Sequence, residues 1–517
     1  MRSPAVLLLA TALGACTVGP DFTPPDPLAP PAYRDTARAT DGAVTPSAKP
    51  DPEWWNSFRD PQLTSLVGRA ISGNLSLQQA VLRIAQSRQG EAAARAAGLP
   101  TLSADGAYTR QQLGLRGILK SRGVYDSVDD LRGNARLEDA QAGLSDRAAD
   151  ALGSALGLAT RPTNLFQQGL DASWELDLFG RIARQVEQSR ARTQSAVEGA
   201  NDALVSLVAE VVRTYASLRG AQALQQAQQD NVNAARDILA LTQRRQRQGL
   251  TTQLDVENQR AQLTSYEAQL QPYTAQVQQA MNRLAVLTGA PPGLLDEELA
   301  TARPIPVAPP AVPVGVPSEL ARRRPDIRRA EADLHAATAG VGVAVAQFYP
   351  TVSLTGSLGT RAIDASYLTD WASHFYTAGP AISVPIFQGG RLTANLKLAK
   401  AQSAEAALGY RNAVLNALAE VEDALVAYRT DRVQADLLRQ TVASSRTALA
   451  LARDRYDHGL SSFIEVLDAQ RTLVGARQQE VRASITVTND VVALYKALGG
   501  GWSDREWMDR ATAAQPQ

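Results

Sequence analysis

Ser173-Trp174-Glu175-Leu176-Asp177-Leu178-Phe179-Gly180-Arg181 recurs 210 residues on as Ser383-Val384-Pro385-Ile386-Phe387-Gln388-Gly389-Gly390-Arg391. The same offset relates Gln248-Gly249-Leu250-Thr251-Thr252 to His458-Gly459-Leu460-Ser461-Ser462, and Gly289 to Gly499. Upstream, Pro100-Thr-Leu-Ser-Ala-Asp-Gly106 recurs as Pro350-Thr-Val-Ser-Leu-Thr-Gly356. A period this long is not that of a short solenoid repeat. It marks a duplicated half-molecule, each half carrying two strands between helices.

The strands follow from strict alternation. Leu102, Ala104, Gly106 and Tyr108 alternate with Thr101, Ser103 and Asp105, and Leu170, Ala172, Trp174, Leu176 and Leu178 with Asp171, Ser173, Glu175 and Asp177. Val352, Leu354, Gly356 and Leu358, then Ala378, Pro380, Ile382, Val384 and Ile386, repeat the pattern in the second half. The expected strands are therefore about 100–110, 166–179, 350–360 and 376–387. Roughly ten residues with one apolar and one polar face suit a membrane β-strand. An antiparallel sheet on a soluble core has the same alternation. The carboxylates on the polar face, Asp171, Glu175 and Asp177, favour a wet lumen over a packed core.

Gly180-Arg181 and Gly390-Arg391 each open a long tract free of proline, from about Ile182 to Gln248 and from about Leu392 to His458. At 1.5 Å per residue each would be about 100 Å long as a helix. Leu204, Leu207, Val208, Val211, Val212, Tyr215 and Leu218 form one apolar stripe at helical spacing. Gly249 and Gly459 turn the chain, and return helices run to Gly289 and Gly499. A first helix starts at Asp60-Pro61 and runs to about Leu99, where Pro100 stops it. A shorter one follows Pro325-Asp326. Residues 62–289 and 318–500 are thus two helix–strand–strand–helix repeats. Residues 290–317, with eight prolines, link them, and 501–517 are a tail. One asymmetry remains. Gly106 and Gly169 lie 63 residues apart, but Gly356 and Gly379 only 23. The stretch 111–165 reads as a long surface loop with room for a short helix near Asp139–Leu152.

Composition excludes several functions. Among 517 residues, Lys+Arg and Asp+Glu both number 52, so no net charge draws nucleic acid. The three histidines, His335, His374 and His458, lack metal-ligand spacing. There is no phosphate loop or nucleophile elbow, so an enzyme and a cofactor are not expected. The single cysteine, Cys16, cannot form an internal disulfide. It follows Arg2, an apolar run from Ala5 to Leu13, and Gly14-Ala15, which together read as a signal peptide over 1–15. Leu13-Gly-Ala-Cys16 looks like a lipobox, so Cys16 would carry a covalent lipid. The rival reading is an ordinary signal peptide with a chance cysteine. Thr17 after the cysteine, rather than Asp, resembles release to the outer membrane. Residues 16–61 are proline-rich and extended. No later stretch is apolar for long enough to span a bilayer as a helix.

Four strands cannot close a barrel, and an open edge in lipid leaves backbone groups unpaired. Copies must therefore share one. Two copies give eight strands, a barrel filled by its own side chains, so a conduit favours three.

The chain resembles the TolC-like outer-membrane efflux family, in its lipoprotein branch. The resemblance rests on Cys16-Thr-Val-Gly-Pro-Asp-Phe22, on Trp54-Trp55 with Phe58 and Asp60-Pro-Gln-Leu63, and on Ser173 to Arg181. Arg324-Pro-Asp-Ile327, Phe348-Tyr-Pro350 and Glu465-Val-Leu-Asp-Ala-Gln470 complete it, covering residue 16 to about 500. It implies a mainly α fold with membrane β. A homotrimer would form a twelve-stranded β-barrel, continued by a long α-helical periplasmic barrel. It also implies a periplasmic adaptor and an inner-membrane RND-type pump as partners, with outer-membrane lipid around the barrel. Asp255, Asn258, Tyr456, Glu465 and Asp468 match the family's periplasmic gate, Asp255 being the partner of Tyr456. Ser461 stands where some members have an arginine. Gly249, Leu250, Gly459 and Leu460 match the tips that meet the adaptor. From spacing alone, the same residues read as a solvated helix face and plain glycine caps. The segment 111–160 departs from the family. Two other functions fit the pattern: a duct for protein secretion and a non-conducting, lipid-anchored coiled-coil scaffold. Cys16 and Trp54-Trp55 favour the efflux branch over secretion, and membrane-length strands count against the scaffold.

Overall fold

The structure is a computed structural model. It describes residues 17–27, 29–34, 44–45, 51–112, 114–132, 134–309, 311–458 and 460–503. The signal peptide, Cys16, Gly459 and most of the tail lie outside the described residues.

In chain order, α1 (Pro61–Gly73) and α2 (Leu75–Ala96) lead to β1 (Thr101–Gln111). Four short helices follow, α3 (Leu115–Ser121), α4 (Val124–Leu131), α5 (Ala135–Ala140) and α6 (Leu144–Ala159), then β2 (Thr163–Leu176). Next come α7 (Arg181–Arg247), α8 (Gln253–Leu287), α9 (Asp296–Ala300), α10 (Pro317–Arg323) and α11 (Pro325–Ala346). The second repeat ends with β3 (Thr351–Ala362), β4 (His374–Ser383), α12 (Arg391–Asp457) and α13 (Phe463–Ala497). The duplication is visible in the lengths: α7 and α12 each have 67 residues, α8 and α13 each 35.

The described residues form two compact units. One comprises Ala94–Ala183 and Val345–Leu392 with the residues before Gly19. It holds an antiparallel sheet in the order β1-β2-β3-β4, so the two hairpins are joined through β2 and β3. The register puts Ala104, Leu170, Leu358 and Tyr376 in one row, and Leu102, Ala172, Gly356 and Ala378 in another on the same face. The opposite face carries Ser103, Asp171, Ser357 and Thr377. Because side chains alternate with a period of 2, the sequence pattern becomes two chemically distinct faces. The apolar face has no cover in a single chain: Leu102 is 70 % exposed and Tyr376 83 %. Aromatic pairs stand at both ends, Tyr108 with Phe166 at 4.9 Å and Phe179 with Tyr349 at 4.9 Å.

Two sequence expectations need correction here. The stretch expected as a surface loop over 111–165 contains α3–α6. Glycines at the N-caps of α3, α4 and α6 adopt positive φ and divide it into short amphipathic helices. Val128 of α4 and Ala149 of α6 are buried, and Val128 faces Gly153 of α6. The fourth strand stops at Ser383 rather than 387, just before Pro385, which has no N–H to offer a ladder.

The second unit comprises Gly19–Ala93, Arg184–Ala344 and the residues from Thr393 onward. Its core takes in the predicted stripe on α7, from Leu204 through Val211 and Tyr215 to Leu218. Against it pack Trp54, Leu63, Leu66 and Val67, with Trp54 stacked on Tyr495 at 4.9 Å. Val44–Thr45 and Val312–Pro313 form a short parallel ladder that ties the N-terminal segment to the linker. The first helix, expected as one piece, breaks at Asn74. Its side chain donates to Leu287 O at 3.0 Å and accepts from Leu77 N at 3.0 Å, ending α1 and starting α2. Among the described residues, no helix is long and apolar enough to cross a membrane.

Candidate functional site

The glycine turns between the long helices carry the candidate gate and tip residues. At the first, α7 ends in a left-handed Gly249 with φ +75°, and Leu250 N donates back to Arg245 O at 2.9 Å. At the second turn, Leu460 N likewise donates back, to Arg455 O at 2.8 Å. Such a cap satisfies carbonyls of the last turn and pushes the following side chain outward. Leu250 is accordingly 71 % exposed and Leu460 69 %. One turn further, Leu254 and Ile464 are 68 % and 73 % exposed. Each tip therefore presents two exposed apolar side chains, one in the turn and one in the first turn of the return helix. Leu254 and Ile464 were missed in the sequence, although their 210-residue offset was the available signal.

The acidic residues differ more than their equivalent positions suggest. Asp255 is the N3 residue of α8 and closes a capping box with Thr252. Its Oδ2 accepts from Thr251 Oγ1 at 2.6 Å, Thr252 Oγ1 at 2.7 Å and Thr252 N at 3.0 Å. Hydrogen bonds from the Thr251 and Thr252 side chains, then from the Thr252 amide, hold its pKa below the usual carboxylate range. In the second repeat, Ser462 makes no side-chain cap. The exposed carboxylates of Glu465 and Asp468 make no hydrogen bond or ion pair among the described residues, and Asn258 is exposed as well. One repeat thus commits its acid to holding a helix end, and the other leaves two free.

Tyr456 meets Arg245, whose guanidinium lies 5.0 Å from the ring centroid and donates to the phenol oxygen. The contact joins the last turns of α7 and α12. Within one chain, then, Arg245 engages Tyr456 while Asp255 serves its own cap. The pairing of Tyr456 with Asp255 implied by the resemblance is not made inside the chain. Further along, Arg471 on α13 donates to Gln262 on α8 at 2.6 Å. Among the described residues no group of His, Cys, Asp and Glu is placed to hold a metal.

A prediction follows from the cap. Thr252→Ala removes its side-chain half and is expected to cost about 0.5–2 kcal/mol locally. Amide hydrogen exchange in the first turn of α8 should speed up by roughly 2- to 30-fold. Because the Asp255 pKa is lowered on folding, the cap's contribution is present above about pH 4. It is lost as pH falls through the depressed value.

On the sheet, the polar face carries Asp105, Asp171 and Glu175, the last paired with Arg181 at 2.8 Å. Arg361 lies over the Phe375 ring at 4.9 Å on the same face.

Comparison with known proteins identifies this arrangement. The family described as "Outer membrane efflux protein" matches residues 66–290 and 316–500. The outer membrane protein OprJ of Pseudomonas aeruginosa is 32% identical over 515 residues, covering 98% of this chain and 98% of that protein. The solvent efflux pump outer membrane protein SrpC of Pseudomonas putida is 31% identical over 495 residues, covering 95% and 96%. Among solved structures, the outer-membrane channel OprN aligns with a TM-score of 0.79 at 32% identity, over 94% of this chain and 100% of that one. The fold is mainly helical with four strands per chain, as in such channels. The chain belongs to the outer membrane efflux protein family and is the non-enzymatic outer-membrane channel component of an efflux pump.

Proposed function

We propose that three copies of this chain form one exit duct, a twelve-stranded barrel with a helical tunnel below it. The observation that carries this is the sheet: β1 and β4 are both edges, and one face is an uncovered apolar band. In lipid every edge must find a partner, and β1 of one copy against β4 of the next satisfies both. A second apolar stripe on α12 supports the same assembly. Leu408, Leu415, Val426, Val433 and Leu437 are exposed at spacings of 7, 11, 7 and 4 residues. Such spacings keep one helix face toward a neighbouring helix.

In this reading residues 1–15 are removed, Cys16 carries the lipid that anchors the chain in the outer membrane, and 16–61 strap the anchor to the helices. Residues 62–289 and 318–500 act as the two repeats. Asp255, Asn258, Tyr456, Glu465 and Asp468 surround the periplasmic mouth. The tips with Gly249, Leu250, Gly459 and Leu460 dock a periplasmic adaptor bound to an RND-type pump. The duct is passive, and small organic molecules pass through it, as the names of the solvent, toluene and antibiotic efflux relatives suggest. The test is the mass of the purified full-length protein beside its conductance in a planar bilayer. The mass of three chains and a cation-selective conductance are expected; a monomer, or a folded trimer without conductance, would overturn the duct.

The tips yield a separate expectation. Exchanging Leu250, Leu254, Leu460 and Ile464 together for serine removes the apolar anchors without touching the caps. Burying a side chain of this size is worth about 1.5–3 kcal/mol. Adaptor affinity should therefore fall at least tenfold while trimer mass and conductance stay as they were. Unchanged co-purification with the adaptor would move the contact elsewhere.

A further inference from the structure

The helical insertion between β1 and β2 has no counterpart in the second repeat, and it is a built structure. Arg132 pairs with Asp150 at 2.6 Å, and Glu138 accepts from Gly143 N at 2.7 Å and Ser145 Oγ at 2.8 Å. By topology it stands at the end of the sheet remote from α2 and α7, because β1 leaves the one and β2 enters the other. Its first helix, α3, directly follows the edge strand β1. There Ile118 is 50 % exposed among Arg116, Lys120 and Arg122. These three cations are exposed and have no acidic partner among the described residues.

At the same end of the sheet, the connection 363–373 precedes β4, the opposite edge. It is short, acidic and apolar. Ile363 is 66 % exposed, Tyr367 57 % and Trp371 85 %, and Asp364 and Asp370 are its only charged residues. Within one chain, α3 and this loop emerge from opposite edges of a four-stranded sheet. Closing the barrel changes that. When β1 of one copy pairs with β4 of the next, the side of α3 that carries Ile118, with Arg122 four residues on, comes beside an acidic, apolar loop.

We propose that α3 of each copy docks on the 363–373 loop of the neighbouring copy. Ile118 meets the neighbouring copy's Trp371 and Tyr367, with Arg122, on the same side of the helix, opposite its Asp364 and Asp370. The three insertions then form a continuous collar around the outer mouth. This rests on the trimeric reading above. It assigns the insertion a second contact between copies, outside the membrane and independent of the strand edges. Charge complementarity selects the partner, and apolar burial holds it.

The test is disulfide trapping in the full-length, membrane-inserted protein carrying Ile118→Cys and Trp371→Cys, treated with copper phenanthroline, beside the native mass of the same sample. Linked species of two and three chains are expected, absent from either single variant. Linkage only within one chain, or none in a protein with the mass of three chains, overturns the collar and leaves the trimer standing. The mass of one chain removes the trimer, and the collar with it. In the trapping background, Arg122→Glu should cut the linked yield about tenfold at low salt, since juxtaposed like charges cost several kcal/mol. Adding Asp364→Lys and Asp370→Lys should restore it. A yield indifferent to both reversals overturns the charge-matched contact.

Discussion

Exchanging Glu465 and Asp468 together for alanine is expected to raise single-channel conductance several-fold and to weaken cation selectivity. Neither carboxylate bonds to another side chain among the described residues, and both are exposed at the start of α13. In the trimer proposed above, three copies around one axis would gather six such charges at the periplasmic mouth. Two unit charges 4 Å apart interact by about 4 kcal/mol at an effective dielectric constant near 20, so the ring strongly favours cations in its centre. Alanine removes both the field and the bulk that narrows the mouth. The control is Asp255→Ala. Its carboxylate is held by Thr251 and Thr252, so this variant should loosen the start of α8, a loss that the double variant at Glu465 and Asp468 does not share. Conductance and selectivity unaltered in the double variant would take Glu465 and Asp468 out of the gate.

The largest loss of stability is expected from Arg219→Met. Arg219 is fully buried in α7, with no ion pair among the described residues. Its guanidinium donates to Gln222 Oε1 at 2.6 Å, to Thr301 O at 3.0 Å, to Leu299 O at 3.4 Å and to the Gln62 side chain. It also lies over the Tyr215 ring, 4.8 Å from the centroid. Tyr215 in turn donates to Asp60 at 2.7 Å, the residue that caps α1. Burial, with the bond to Asp60, pushes the Tyr215 phenol up to about 12, so it remains a neutral donor at neutral pH. One side chain therefore pins α1, α7 and the start of the linker together. Methionine fills much of the volume but leaves several buried acceptors without a donor. The cost should be about 3–5 kcal/mol, the range for removing one member of a buried charged network. A lowered unfolding midpoint by far-UV circular dichroism would show it. Arg219→Lys should recover only part, because an ammonium cannot reproduce the planar fork. An unshifted midpoint in the methionine variant would mean that water takes over these bonds.

Much of this architecture was determined by the sequence by itself. The 210-residue repeat, the long helices, the stripe from Leu204 to Leu218 and the two-faced strands are carried by periods of 3.6 and 2. Glycine and proline punctuate them at Gly249, Pro100 and Pro350. All these signals are local: each depends on the backbone a residue can adopt and on neighbours within a few positions. Only the tertiary structure decided the rest. Asn74 breaks the first helix because Leu287, 213 residues away, offers its carbonyl. The insertion folds because Val128 of α4 is buried facing Gly153 of α6, a match between segments too short to announce it. The hairpins join where Leu170 meets Leu358. Asp255 and Glu465 occupy equivalent places, yet one is bound and the other free. Thr252 supplies a side-chain cap and Ser462 does not. Arg245 reaches Tyr456 across two helices that the sequence separates by 211 residues. A polar side chain has several partners within reach of its own chemistry, and which one it takes depends on what distant segments bring beside it.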